Sequence, residues 1–333
     1  MRRGRAFAHT VPGSPSLNLG AMSSKAELLI TPPPGAVVSN LTCFSAMVMW
    51  SFAFPIAEFM LYSWGTIALV LTRQLIAVST LFLFWLYIDG LARIRSADWF
   101  AGLRVGGVGF GLGSMTFLVG QSMSDAVTPA IAASMMPIIG ALLEVTLDGR
   151  RLRPRLIGGI VFALLGGLLA TGTRLDEGNF GWGSLLCLFS VVLFAWATRA
   201  TTRGFRSLSF VGQTTITLSG SLFVVLVVYL LMLLIDIPGT AIGIHDSRHV
   251  LLLLFTSTCS LALAQFMWIR GAAGLGILLA SLHVNAVPFY VMVIVVLFMG
   301  ESWNWGQAAG ATLVAVGVLL AQAASRQPDL ATR

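Results

Sequence analysis

Charge is what this sequence has least of. Of 333 residues, 10% are Asp, Glu, Lys or Arg, while 57% are hydrophobic, and the mean hydropathy is +0.89. A soluble globular chain carries roughly 25% charged residues, so lipid must be the main solvent here. Lysine is nearly absent: Lys25 stands alone and the rest of the 20 basic residues are arginine. Most of those arginines sit in short gaps between apolar runs and form no continuous basic face, which excludes a nucleic-acid footprint despite the net charge of +7. The three cysteines, Cys43, Cys187 and Cys259, fall inside apolar stretches without CxxC spacing, so neither a disulfide framework nor a zinc site is expected. The four histidines offer His245 and His249 at i, i+4 spacing, but no third ligand clusters with them. No metal or cofactor is expected. The glycine-rich run Gly106–Gly113 has no neighbouring GKS/T and no lysine, so it is read as close helix packing rather than a phosphate loop.

What the chain does have is long apolar runs. By the criterion of roughly 20 mostly apolar residues for a ~30 Å hydrocarbon core, ten spans are expected near 41–62, 66–88, 100–120, 126–147, 155–172, 181–199, 214–235, 250–268, 272–299 and 304–323. Residues 1–36 hold no apolar stretch and are expected to be a disordered basic cytoplasmic tail, with Met22 as an alternative start; residues 324–333 form a second short tail. With the N-terminus inside, seventeen Lys and Arg residues fall on inner segments and two, Arg174 and Arg248, on outer ones; Arg73 lies within a span. The positive-inside rule then places both termini in the cytoplasm of a multi-pass protein of the cell's inner (plasma) membrane.

The runs repeat. Gly120 precedes Pro137 by 17 positions, and Gly271 precedes Pro288 by the same 17; from each proline the next early glycine, Gly158 or Gly310, follows after 21 or 22. Two units are therefore expected, 37–172 and 180–323, with five spans each. An odd number of spans per unit puts the second copy upside down. The turns agree: DGRRLRPR at 148–155 suits the cytoplasm, whereas GESWNW at 300–305 carries two tryptophans and no arginine. The fold class expected is all-α integral membrane, ten transmembrane helices in two inverted five-helix repeats.

These residues resemble the EamA-like domain of the drug/metabolite transporter superfamily, ten-helix carriers with two such domains. The resemblance rests on Trp50-Ser51, Arg73 and Pro288…Gly300-Glu301…Gly310…Gly317, and more weakly on Pro137…Gly158…Gly166-Gly167. It spans about residues 40–322, and departs from the pattern at Asp148-Gly149-Arg150, one residue short of the expected turn acid. It implies transport, often export of amino acids or related metabolites.

Several intramembrane polar residues are candidates for the solute site. Glu58 sits near the outer end of the first span, where a carboxylate costs about 2.5–3.5 kcal/mol at mid-membrane and calls for a cavity, a partner or the interface. Arg73 lies at similar depth in the second span and cannot shed its charge; it either pairs with Glu58 or meets a solute carboxylate. Ser134, His283 and Asn285 flank Pro137 and Pro288, whose rings free backbone groups and mark kinks near mid-membrane. His283 makes a proton a candidate coupled ion. Trp50, Gln121 and, more weakly, Gln213, Gln265, Trp196 and Trp268 are candidates for a mixed polar and aromatic wall. Glu144 and Asp148 are read as neutralised by the arginines at 150–155.

The leading expectation is a secondary active transporter, an exporter by the resemblance, moving a small organic solute by alternating access. An intramembrane enzyme needs a nucleophile–base pair or metal cluster, and a channel a ring of acids or carbonyls; the sequence shows neither. No catalytic residue is expected. The sequence does not decide between monomer and homodimer.

Overall fold

The computed structural model describes residues 35–123, 127–149, 154–170, 182–300, 302–303 and 305–325. Both expected tails lie outside these residues except at their inner edges, as do Arg150–Arg153, Glu301 and Asn304. Among the described residues every regular element is helical. In chain order they are α1 Ala36–Leu61, α2 Thr66–Arg95, α3 Trp99–Ser122, α4 Val127–Ser134, α5 Met136–Asp148, α6 Pro154–Ala170, α7 Trp182–Gly204, α8 Phe210–Leu234, α9 Ser247–Leu275, α10 Ile277–Phe298 and α11 Trp305–Ser325.

Seven of these, α1, α2, α3, α7, α8, α9 and α10, are long and apolar enough to cross a membrane. They take the places expected for spans one to three and six to nine. The expected fourth crossing is instead two short helices, α4 and α5, separated at Met135. The expected fifth is the 17-residue α6, and α11 stands where the tenth was expected. Helix starts follow capping chemistry: Asp98 accepts from the Ala101 N–H at 2.9 Å, Ser209 from Gly212 at 3.1 Å, and Asp246 from His249 at 2.9 Å. Each satisfies one of the orphan donors of a first turn.

The two prolines open new helical segments rather than kinking continuous ones. Pro137 occupies the first turn of α5, and Pro288 the first turn of the segment Val287–Met299, where the missing N–H has no helical partner to lose. Ahead of Pro288 the chain breaks at Gly276 (φ 82°, ψ 161°) and runs through a 3₁₀ turn, Leu282–Ala286.

The local irregularities recur at a fixed offset. π-helical stretches occupy Gly106–Gly111 in α3 and Thr258–Leu263 in α9. Left-handed glycines end α5 at Gly149 (φ 64°, ψ 19°) and the Val287–Met299 segment at Gly300 (φ 76°, ψ 18°). Both pairs, like the two prolines, lie about 151 positions apart, the spacing read from the glycines and prolines of the sequence.

Small residues let the helices touch. A Cβ on Gly106 would collide with the Thr217 backbone of α8, one on Gly120 would come within 2.6 Å of Cys187 Sγ, and one on Gly159 within 2.6 Å of the Ala321 amide nitrogen. Without a hydrophobic force between helices in lipid, such close approach supplies the packing.

Two sets of polar contacts tie the ends of the bundle. At one end Asp148 is held by Arg199 and Arg203 of α7, the latter at 2.6 Å. The two guanidinium groups hold the Asp148 carboxyl below the usual carboxylate range, the Arg199 hydrogen bond contributing most. At the other, the turn between α1 and α2 meets the segment after α8: Gly65 N–H donates to Ala241 O at 2.8 Å, Ile67 N–H to Gly239 O at 3.0 Å, and Trp64 Nε1 to Ile244 O at 3.0 Å.

Candidate functional site

A cavity of about 150 Å³ lies inside the bundle. Its wall draws on both halves of the chain: α1, α2, α3 and α5 from the first, and α7, α8, α9 and α10 from the second. Trp50, Phe54, Phe117 and Phe194 form an aromatic surface there. Trp50 stands edge-on to Phe54 with centroids 5.1 Å apart, and Phe117 lies 6.1 Å from Trp50, Phe54 and Phe194. Trp268 closes another part of the wall and is fixed by a 2.9 Å hydrogen bond from its Nε1 to Thr198 Oγ1. Phe110 and Ser260, one from each π-helical stretch, also reach the cavity. A π turn shifts the register of the side chains after it, a common feature of helices at sites.

The polar part of the wall centres on α2. Gln74 is clamped: its Nε2 donates to Ser114 Oγ at 2.8 Å and its Oε1 accepts from Ser221 Oγ at 3.0 Å, joining α2, α3 and α8. Its neighbour Arg73 is not clamped. The Arg73 Nε is buried without a hydrogen-bond partner, and no described residue forms an ion pair or ring contact with its guanidinium. Gln121 Nε2, Ser260 Oγ and Gln265 Nε2 are further buried polar atoms of the wall without a partner. Buried polar groups in folded proteins are overwhelmingly paired; here four line one cavity without a partner.

Of the residues singled out from the sequence, Trp50, Arg73 and Gln121 line this cavity, as do Gln265 and Trp268. Glu58, Ser134, His283 and Asn285 lie off its wall. Glu58 is exposed, and no ion pair joins it to Arg73 among the described residues. The expected pair does not form because Ala57, not Glu58, is turned to the cavity; successive helical positions differ by about 100°. Ser134 is fully buried. His283 Nδ1 is 3.2 Å from the Ala280 carbonyl, and Asn285 is fully buried with neither amide atom paired. Glu144, read as neutralised by nearby arginines, accepts the Leu278 N–H at 3.0 Å, linking α5 to the start of α10. Asp148 takes its cations from α7. Sequence reasoning missed Gln74, Thr198 and Ser260; only Gln74 carried a signal, as the second half of an Arg-Gln pair inside an apolar run. Gly271 and Gly274 pack on Cys43 and Ser39 of α1, close to the wall but not part of it.

Residues 38–172 match the family model described as the EamA-like transporter family. No curated protein matches the sequence. Among solved structures, 29 chains match. One of them, titled only "Crystal structure of protein", superposes with a TM-score of 0.70 at 18% identity, covering 86% of this chain and 96% of its own. At that identity the likeness shows a shared fold.

Proposed function

We propose that this protein, whose residues 38–172 match the EamA-like transporter family, is a secondary carrier that moves a small organic metabolite across the membrane by alternating access, and that the cavity between its halves is the solute site. Members of that family are transporters rather than enzymes, and the seven membrane-length helices make the chain a multi-pass membrane protein. The single observation that carries the reading is a cavity walled by both halves of the chain, aromatic on one side and holding unpaired buried polar atoms on the other. Solute sites in carriers of repeated architecture lie where the repeats meet, beside interrupted helices. Here Met136, at the start of α5, and Val284, in the 3₁₀ turn of α10, both reach the wall.

The reading includes ten membrane-traversing elements in two inverted units, 37–172 and 180–323, with both termini in the cytoplasm and export as the direction. Support comes from the recurring π stretches, prolines and left-handed glycines, and from the side on which the arginines fall. The contacts at the bundle ends agree: Asp148 with Arg199 and Arg203 at one end, the 64–68 turn with the 239–244 segment at the other, are pairs that a ten-pass topology places on the same face.

The test is a thermal-shift screen of the purified full-length protein in neutral detergent against amino acids, small carboxylic acids, amines and purines, followed by uptake of the strongest stabiliser into proteoliposomes. Uptake that saturates supports a carrier. A compound chemically converted by the protein, or flux that rises linearly with concentration, favours an enzyme or a channel.

A further inference from the structure

Within the carrier reading just given, we propose that the cavity selects organic anions: a carboxylate on an apolar body about the size of one aromatic ring. Arg73 is the one charged side chain, and there is no carboxylate, among the described residues of the wall. Arg73 is half-buried, with its Nε fully enclosed; its guanidinium carries a permanent charge, and holding such a charge partly out of water without a counter-ion is costly. The acid that the sequence offered as its partner, Glu58, is exposed and makes no ion pair with it. Gln121 Nε2 and Gln265 Nε2, also on the wall, are unpaired donors. A carboxylate answers both deficits, since its two oxygens match the guanidinium fork and have further lone pairs for amide donors.

The rest of the guest follows from the walls and the volume. Trp50, Phe54, Phe117 and Phe194 present ring faces and edges to the space, and about 150 Å³ is the size of an apolar protein cavity known to hold a benzene ring. The same wall disfavours amines. An ammonium group entering it would lose its water, find no anion among the described lining residues, and share the space with Arg73. An amino acid brings such a group with it, so the cavity is better matched to a simple carboxylic acid than to the amino acids that the family resemblance suggests.

Three planar, near-isosteric probes separate these cases: benzoate, benzamide and benzamidinium, which are anionic, neutral and cationic. Binding of each to the full-length protein in neutral detergent is measured by isothermal titration calorimetry. Benzoate is expected to bind at least about tenfold tighter than benzamide, the range of one charge-assisted hydrogen-bonded pair, and benzamidinium weakest of the three. Arg73→Gln should bring benzoate down to the level of benzamide and leave benzamide within about twofold. Arg73→Lys keeps the charge but loses the fork; it should weaken benzoate alone, and it serves if the glutamine variant does not fold. Equal binding of benzoate and benzamide by the wild type, or tighter binding of benzamidinium, overturns the anion assignment and leaves the carrier reading standing. Failure of all three probes to bind, alongside saturable uptake of some other solute, does the same. Failure of both binding and uptake removes the two readings together.

Discussion

Gly149 and Gly300 end their helices with nearly the same left-handed backbone, φ 64° with ψ 19° and φ 76° with ψ 18°, 151 positions apart. A shared irregularity says more about common origin than a shared regular helix, because any apolar run forms a helix in lipid, whereas a left-handed stop strongly favours glycine. The paired π stretches at Gly106–Gly111 and Thr258–Leu263 point the same way.

Nothing lies within 4 Å of where a Cβ would stand on either Gly149 or Gly300. Alanine there should therefore incur only the backbone term, about 1 kcal/mol, seen as a small drop in the thermal midpoint in detergent. Gly106→Ala meets the Thr217 backbone instead and should abolish extraction of a folded species. A Gly106→Ala protein as stable as Gly149→Ala would contradict the helix contact between α3 and α8.

Asp148 offers a test by pH. Its folded-state pKa is depressed, chiefly by the Arg199 hydrogen bond, so its stabilising contribution is complete above the unfolded carboxylate value of about 3.9 and disappears as pH falls through the folded value. Asp148→Asn should lower stability at neutral pH. The gap between variant and wild type should stay constant from about pH 7 to pH 5 and close below about pH 4. A gap independent of pH down to the acid limit would assign the effect to packing.

Gln74 holds α2 against α3 and α8 through Ser114 and Ser221. Gln74→Leu leaves the fully buried Ser221 hydroxyl without its partner, while Ser114 keeps its bond to the Gly111 carbonyl, at a cost of about 1–3 kcal/mol. Replacing Ser114 and Ser221 by alanine in the same protein should recover part of it, because the buried Ser221 hydroxyl then no longer stands unpaired. Thermal unfolding of the single and triple variants measures this, and no recovery would mean that the amide acts by its shape alone.

Membrane sidedness is tested by labelling. In a cysteine-free background, a cysteine at the exposed His245 should react with an impermeant maleimide added to intact cells. One at the exposed Arg206 should react only after permeabilisation. The opposite pattern reverses the orientation inferred from the arginines.

Much of the architecture was legible because lipid imposes long apolar runs, and these mark crossings whatever their packing. The helix breaks at Pro137 and Pro288 were legible for a similar reason, since proline constrains the backbone locally. The break at Gly276 was not: the sequence reads as one span over 272–299, and a glycine is compatible with helix until packing selects φ 82°. The site was half legible. Depth along a helix can be counted, and it set Arg73 near the level of Glu58 and His283 near mid-membrane. Rotation about the helix cannot be counted when nearly every face is apolar, so Glu58 and His283, at plausible depths, lie off the wall while Ala57 and Val284 line it. The Arg73 environment is set by the helices that wall the cavity together with α2, which no local pattern encodes.

The carrier reading itself is tested most directly by counterflow. Proteoliposomes holding the purified protein are preloaded with the unlabelled solute that stabilises it best, then diluted into a trace of the same solute labelled. Alternating access predicts transient accumulation of label above its equilibrium level and initial rates that saturate with external solute. Label that only approaches equilibrium, at a rate indifferent to the preload and linear in concentration, would contradict the carrier.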